Sequence, residues 1–295
     1  LFNAFSNADP APKRQRAITP KLLRAMYTLA GLEFEETRDN PAAISTDLAI
    51  LGFFFAMRSC ENTTTPQPGL TKTVDMLGVL FLDEDHREIP QDHPGISQAV
   101  CVTLRFADQK NRDKDARRTQ RRTDDPVLCP VRRAASLIGR IRRLVPAFAG
   151  STTINSYTHQ TAQGPVTLQL ASGFLRSQLR HTCSTVGGKK VFGFDQMDIG
   201  TKSIRSGAAV GLFLANHSAE RIMLMGRWKS QAFLVCIRPQ VIEWTNNVSG
   251  DMIRHDSHTD ASGLDMADPN IARVPTRRFN GPDDSLIAPS FHLDH

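Results

Sequence analysis

Gly52-Phe53-Phe54-Phe55-Ala56-Met57-Arg58-Ser59-Cys60-Glu61 is an apolar run that stops on a guanidinium, with a carboxylate three residues further on. The run opens at Leu48 and closes at Met57. That is far short of the ~20 residues that cross a bilayer, so a membrane partner is not expected. The spacing predicts a helix from about Ser45, with Asp47 in its first turn, and Arg58 to Glu61 sitting near its end.

Upstream, residues 1–16 are polar, carry Pro10, Pro12 and the Lys13-Arg14-Gln15-Arg16 cluster, and are expected to be a disordered leader. The fold is expected to start near Thr19, where Thr19-Pro20 supplies an N-cap and a first-turn proline for a helix through Leu22, Leu23, Met26 and Leu29. Downstream, Val74 to Leu82 and then the alternating Val100, Val102, Leu104 and Phe106 predict strands. Gln109 to Asp113 is turn-like and puts Lys110 at a hairpin tip. Asp125-Pro126 is expected to open a helix through Val131, Ala135, Ile138 and Ile141, with its arginines on the opposite, solvated face. Another helix is expected over Leu168 to Val186. After the Gly187-Gly188 break come helices at about Lys202–Leu214, Ser218–Met225 and Ser230–Asn246, the last interrupted by Pro239. The organisation is therefore a leader over 1–16, one domain over 17–245 and a disordered polar tail over 246–295. The fold class is α+β, mostly helical, with a small antiparallel sheet.

Charge is distributed unevenly. The net charge is +6, but from Arg105 to Arg143 there are thirteen Lys and Arg against five Asp, whereas from Asn246 onward four Arg face eight Asp. The first block wants a polyanion, and double-stranded DNA is the partner it fits. Arg112, Lys114, Arg117 and Arg118 lie in this block and, with Arg227, are the expected DNA contacts. The five cysteines, Cys60, Cys101, Cys129, Cys183 and Cys236, are odd in number and never spaced as C-x-x-C. That argues against a disulfide framework and a zinc site and for a reducing, intracellular location, with the nucleus as one candidate compartment. The chain opens on Leu1 with no basic lead into an apolar stretch, so no secretory signal is expected and the natural start is expected upstream. The sequons at Asn62 and Asn247 therefore read as chance matches. Gly187-Gly188-Lys189-Lys190 lacks the spacing of a phosphate-binding loop.

Two more segments complete a pattern: Thr201-Lys202-Ser203-Ile204-Arg205 and Met225-Gly226-Arg227-Trp228, the latter leading to Cys236-Ile237-Arg238. In order and spacing, the three segments over roughly residues 17–245 resemble the catalytic domain of the tyrosine recombinases, the phage-integrase family. The likeness is nearest to integrase-like proteins of eukaryotic mobile elements. The resemblance implies a catalytic fold without the preceding DNA-gripping domain. It implies that Arg58 and Arg205 are the phosphate forks and that Lys110 is a general acid for the leaving 5′ oxygen. Trp228 would donate its indole N–H or pack the nucleophile helix, and Glu61 would orient Arg58. No metal or nucleotide cofactor is implied, because the family conserves bond energy in a phosphotyrosyl link. A homo-oligomer on DNA is a further partner the resemblance allows.

Two positions depart from the family. Lys202 stands where histidine is usual, a mild change that keeps a cation, as in the similar type IB topoisomerases of poxviruses. Cys236 stands where the nucleophilic tyrosine is expected, and its thiol is shorter by a phenol ring, so reach fails before acidity matters. The expected function is DNA binding by a degenerate site-specific recombinase that no longer cleaves. The alternatives are a recombinase still active through Cys236 or a tyrosine supplied in trans, and a non-enzymatic interaction protein without DNA affinity.

Overall fold

The computed structural model describes residues 15–33, 40–66, 71–108, 114–145, 148–230 and 233–234, all within the first of the two units into which the chain divides, Leu1–Asn246. Helix α1 (Pro20–Leu29) starts where the sequence places it: the Thr19 hydroxyl accepts the Leu22 N–H and Pro20 takes the first turn, where no N–H is needed. Of the expected leader only residues 15 and 16 are described, and the Arg16 N–H donates to the Asp198 carbonyl at 2.7 Å.

Helix α2 (Pro41–Phe54) begins earlier than the expected Ser45, because Asn40 accepts the Ala43 N–H at 2.7 Å and Pro41 follows it. It is buried on every side from Ala43 to Gly52, packed among α1 and three helices introduced below. Asp47 is therefore an interior residue and not a first-turn one. It accepts from Arg133 at 3.1 Å and Ser136 at 2.8 Å, and burial pushes its carboxyl above the usual range against the pull of Arg133.

A single turn, α3 (Ser59–Asn62), leads to a four-stranded antiparallel sheet ordered β2-β1-β3-β4. The expected strand over Val74 to Leu82 is only its second half, β1 (Val79–Leu82): Met76–Gly78 is a tight turn whose Gly78 N–H is accepted by Asp75 at 2.9 Å. β2 (Glu88–Ile89) and β3 (Cys101–Asp108) pair on either side of β1. β4 (Lys114–Arg121) was not legible as a strand, since its Lys-Asp-Ala-Arg-Arg-Thr-Gln-Arg sequence has no apolar alternation. It forms as the outer neighbour of β3, with Arg105 opposite Arg117 and the Thr103 and Thr119 hydroxyls 2.8 Å apart.

Helix α4 (Pro130–Leu144) starts after Cys129 and not at Asp125. Asp125 instead caps a turn, accepting the Val127 and Leu128 N–H groups at 2.9 Å each. Nor are all the α4 arginines solvated: Arg133 is 8% and Arg140 3% exposed, the first held by Asp47 and the second donating to the Ser156 carbonyl at 2.6 Å. A two-stranded hairpin, β5 (Ser156–Thr161) and β6 (Gly164–Gln169), takes the first residues of the expected Leu168 helix, so α5 is Ser172–Val186. The Gly187-Gly188 break has φ of +120° and +50° and is followed by a short α6 (Gly188–Phe192). Helices α7 (Lys202–Leu214) and α8 (Ala219–Gly226) fall where expected, with the Ser218 hydroxyl accepting the Arg221 N–H. Of the expected Ser230–Asn246 helix only residues 230, 233 and 234 are described, and residues 247–295 lie outside the described residues. The class is α+β, mostly helical, with a small antiparallel sheet, as expected. Among the described residues no helix is long and apolar enough to cross a membrane.

Candidate functional site

An α-helix ends with carbonyls that have no partner inside it and with the negative end of its dipole. At the end of α2 these carbonyls are buried in the fold and three side chains from three other elements reach them. Gln120 of β4 donates to the Phe54 oxygen at 2.6 Å, Arg227 to the Phe55 oxygen at 3.0 Å, and Arg205 of α7 to the Ala56 oxygen at 3.0 Å. Ala56 itself has φ +45°, which turns the chain out of the helix and aims it at Arg58.

Glu61, in the α3 turn, is fully buried and holds two arginines. One of its oxygens accepts from the Arg58 guanidinium at 2.8 Å. The other accepts the Arg58 backbone N–H at 2.7 Å and the Arg227 guanidinium at 2.5 Å. Glu61 is thus in contact with Arg58, whose side chain is 18% exposed. Arg205, from α7, donates also to the Gly226 carbonyl and lies over the Trp228 ring at 4.4 Å. Among the residues of this cluster the charges are three guanidiniums and one carboxylate, an arrangement suited to gripping an anion.

Arg227 departs from the sequence reading. Expected among the DNA contacts, it is 4% exposed, stacked over the Phe106 ring at 3.7 Å and paired with Glu61. Burial is the main reason its pKa is pulled down to about 10, with Arg58 and Arg118 adding repulsion and Glu61 opposing, so it stays charged at neutral pH. The chain turns it inward by a left-handed backbone (φ +55°) just past the end of α8. Its neighbour must be glycine, because a Cβ on Gly226 would fall 1.5 Å from the Trp228 ring. Trp228 also packs against Phe233, with ring centroids 5.9 Å apart. Reading Arg227 as a surface cation missed this. The one signal for it was the glycine before it, which leaves room for the Trp228 ring.

Of the other expected residues, Lys202 is exposed at the first turn of α7. Arg117 is exposed beside Asp115, at 3.8 Å, and Arg118 donates through Nε to the Leu224 carbonyl at 2.6 Å, tying β4 to α8. Lys114 opens β4. Lys110, Arg112 and Cys236 lie outside the described residues.

No family model and no curated protein matches the chain. Among solved structures, it is similar to the XerH site-specific recombinase in a post-cleavage complex on palindromic difH substrate, at TM-score 0.46 and 14% identity, over 81% of this chain and 54% of that one. A second XerH structure, a pre-cleavage complex, gives 0.44 and 12% over 81% and 56%. The Tn1549 transposon integrase in complex with right-end DNA gives 0.41 and 8% over 82% and 68%. The chain spans about half the length of the XerH structures.

Proposed function

We propose that this chain binds duplex DNA as a degenerate relative of the tyrosine recombinases, with Arg58 and Arg205 on a backbone phosphate and strand cleavage lost. The observation that supports it most is the gathering of the sequence motifs: Arg205 donates to a carbonyl 149 positions away, two residues before Arg58, and Glu61 holds Arg58 beside it. Arg58, Glu61, Arg205 and Trp228 are the members of the resemblance that support this reading. Arg117, on the outer strand β4, extends the basic character away from the cluster. Arg227 acts from below, fixing Glu61 and through it Arg58. Copies assembling on DNA belong to the same proposal.

The chemistry follows from the residue types. Guanidiniums neutralise and orient a phosphodiester, but breaking it needs a nucleophile at the phosphorus, and Cys236 replaces the phenol that the family uses. The test is binding of a duplex oligonucleotide by fluorescence anisotropy over a salt series. Log affinity should fall with log salt at a slope of roughly −0.9 per phosphate contact. Arg58→Gln should weaken binding and flatten the slope by roughly one contact. Affinity indifferent to salt would refute the reading. A suicide substrate should give no covalent adduct; a denaturation-resistant adduct that Cys236→Ala abolishes would instead make Cys236 a working nucleophile.

A second reading, that the arginines are only helix caps, is favoured by the burial of Arg227. It predicts that Arg58→Gln changes stability and leaves DNA affinity alone.

A further inference from the structure

Helix α4 and the segment from Gln91 to Gln98 face each other across a cleft of about 730 Å³ that shares no residue with the Arg58, Glu61 and Arg227 cluster. The volume lies within the roughly 300–1,000 Å³ of small-molecule sites. Five arginines of α4 line it, Arg132, Arg133, Arg140, Arg142 and Arg143, against a single lining carboxylate, Asp92. Arg142 and Asp92 are 3.6 Å apart and Asp92 is 68% exposed, so that pair leaves the local potential positive.

The cleft has built walls. Gln91 donates to two carbonyls, of Met76 at 2.6 Å and Val79 at 2.7 Å, which pins the start of the facing segment. The turn Ile96–Gln98 packs on α4. Arg133 lies over the Tyr27 ring at 5.0 Å, a stacked pair held in turn by Asp47. His93 accepts the Gly95 N–H at Nδ1, which in the neutral ring leaves the proton on Nε2 as a donor. Two buried guanidinium atoms, Nε of Arg132 and Nε of Arg133, have no hydrogen-bond partner, and Arg133 is more than nine-tenths buried. A buried donor without an acceptor is unfavourable, and both belong to side chains that line the cleft. In the same wall a Cβ on Gly139 would meet nothing within 4 Å, so the helix leaves room there.

We propose that this cleft is a phosphoryl-binding site of mononucleotide size, with Arg132 as the principal fork and the Tyr27–Arg133 stack as its side. Arginine suits the role because its planar N–H pairs match two phosphate oxygens at once. The phosphoryl group has two sources, a free nucleotide or a backbone phosphate of bound DNA, and the experiment separates them. Calorimetric titration of the full chain with ADP and with inorganic pyrophosphate is compared for the parent, Arg132→Gln and Gly139→Leu. Leucine at 139 fills the cleft and also improves helix propensity, so that variant is expected to stay folded. Binding of the probes, weakened at least about tenfold by each substitution, supports a free ligand. Silence toward both probes, with duplex affinity reduced by Gly139→Leu, assigns the phosphoryl group to DNA. Probe binding that Gly139→Leu leaves intact overturns the proposal, as does silence toward the probes with unchanged duplex affinity.

Discussion

Glu61 is the residue on which the candidate site balances. It is fully buried and carries bonds to the Arg58 and Arg227 guanidiniums, so removing it leaves two cations in the interior without their shared counter-charge. Breaking a buried pair from one side costs about 3–5 kcal/mol, so Glu61→Ala should lower unfolding free energy by that order, read by urea titration. Glu61→Gln keeps an acceptor for the Arg58 backbone N–H and should cost less. Equal effects of the two would show that the charge is unimportant. Gly226 offers a second test, because a methyl group there collides with the Trp228 ring. Gly226→Ala should destabilise by about 1–3 kcal/mol and shift Trp228 fluorescence, measured in a Trp244→Phe background. An unmoved emission spectrum would mean the ring is not where the site needs it.

At the scale of elements, the sequence was most legible where caps and apolar spacing agree. Thr19-Pro20 marked α1, and the Lys202 to Leu214 and Ser218 signals marked α7 and α8. It failed where tertiary pairing overrides local pattern. β4 has no alternation and exists because β3 pairs with it, and two α4 arginines lie inside because Asp47 and the Ser156 carbonyl receive them. The Asp125 turn before α4 carries a pH signature. The Arg24 guanidinium holds the Asp125 carboxyl well below the usual carboxylate range against the opposing effect of burial, with the Val127 and Leu128 N–H groups adding smaller pulls. A depressed folded pKa adds stability that is present above the unfolded value of about 3.9 and is lost as pH falls toward the folded one. Asp125→Asn should therefore flatten the acid side of the stability curve below about pH 5. Asp47, shifted the other way, is common to both proteins and cancels in the comparison. The Arg24 side chain is 49% exposed, so the difference should be modest and shrink in high salt.

For the molecule as a whole, the class and the order of motifs were legible, and so was the meeting of Arg58 with Glu61, because residues three apart on a turn must meet. The inward turn of Arg227 and the cleft along α4 were not, since both depend on surfaces contributed by distant segments. The capping of α2 by Gln120, Arg205 and Arg227 is the feature with the widest reach. Those bonds close over 66, 149 and 172 positions. Long closures of this kind form late, after the local helices. On the ribosome, a nascent chain that has emerged only as far as α7 has Glu61 but lacks Arg227, the second guanidinium that carboxylate will hold. The grip is thus completed only when residue 227 leaves the exit tunnel, and a polypeptide cut short before it carries Arg58 and Glu61 without the second guanidinium that pins the carboxylate.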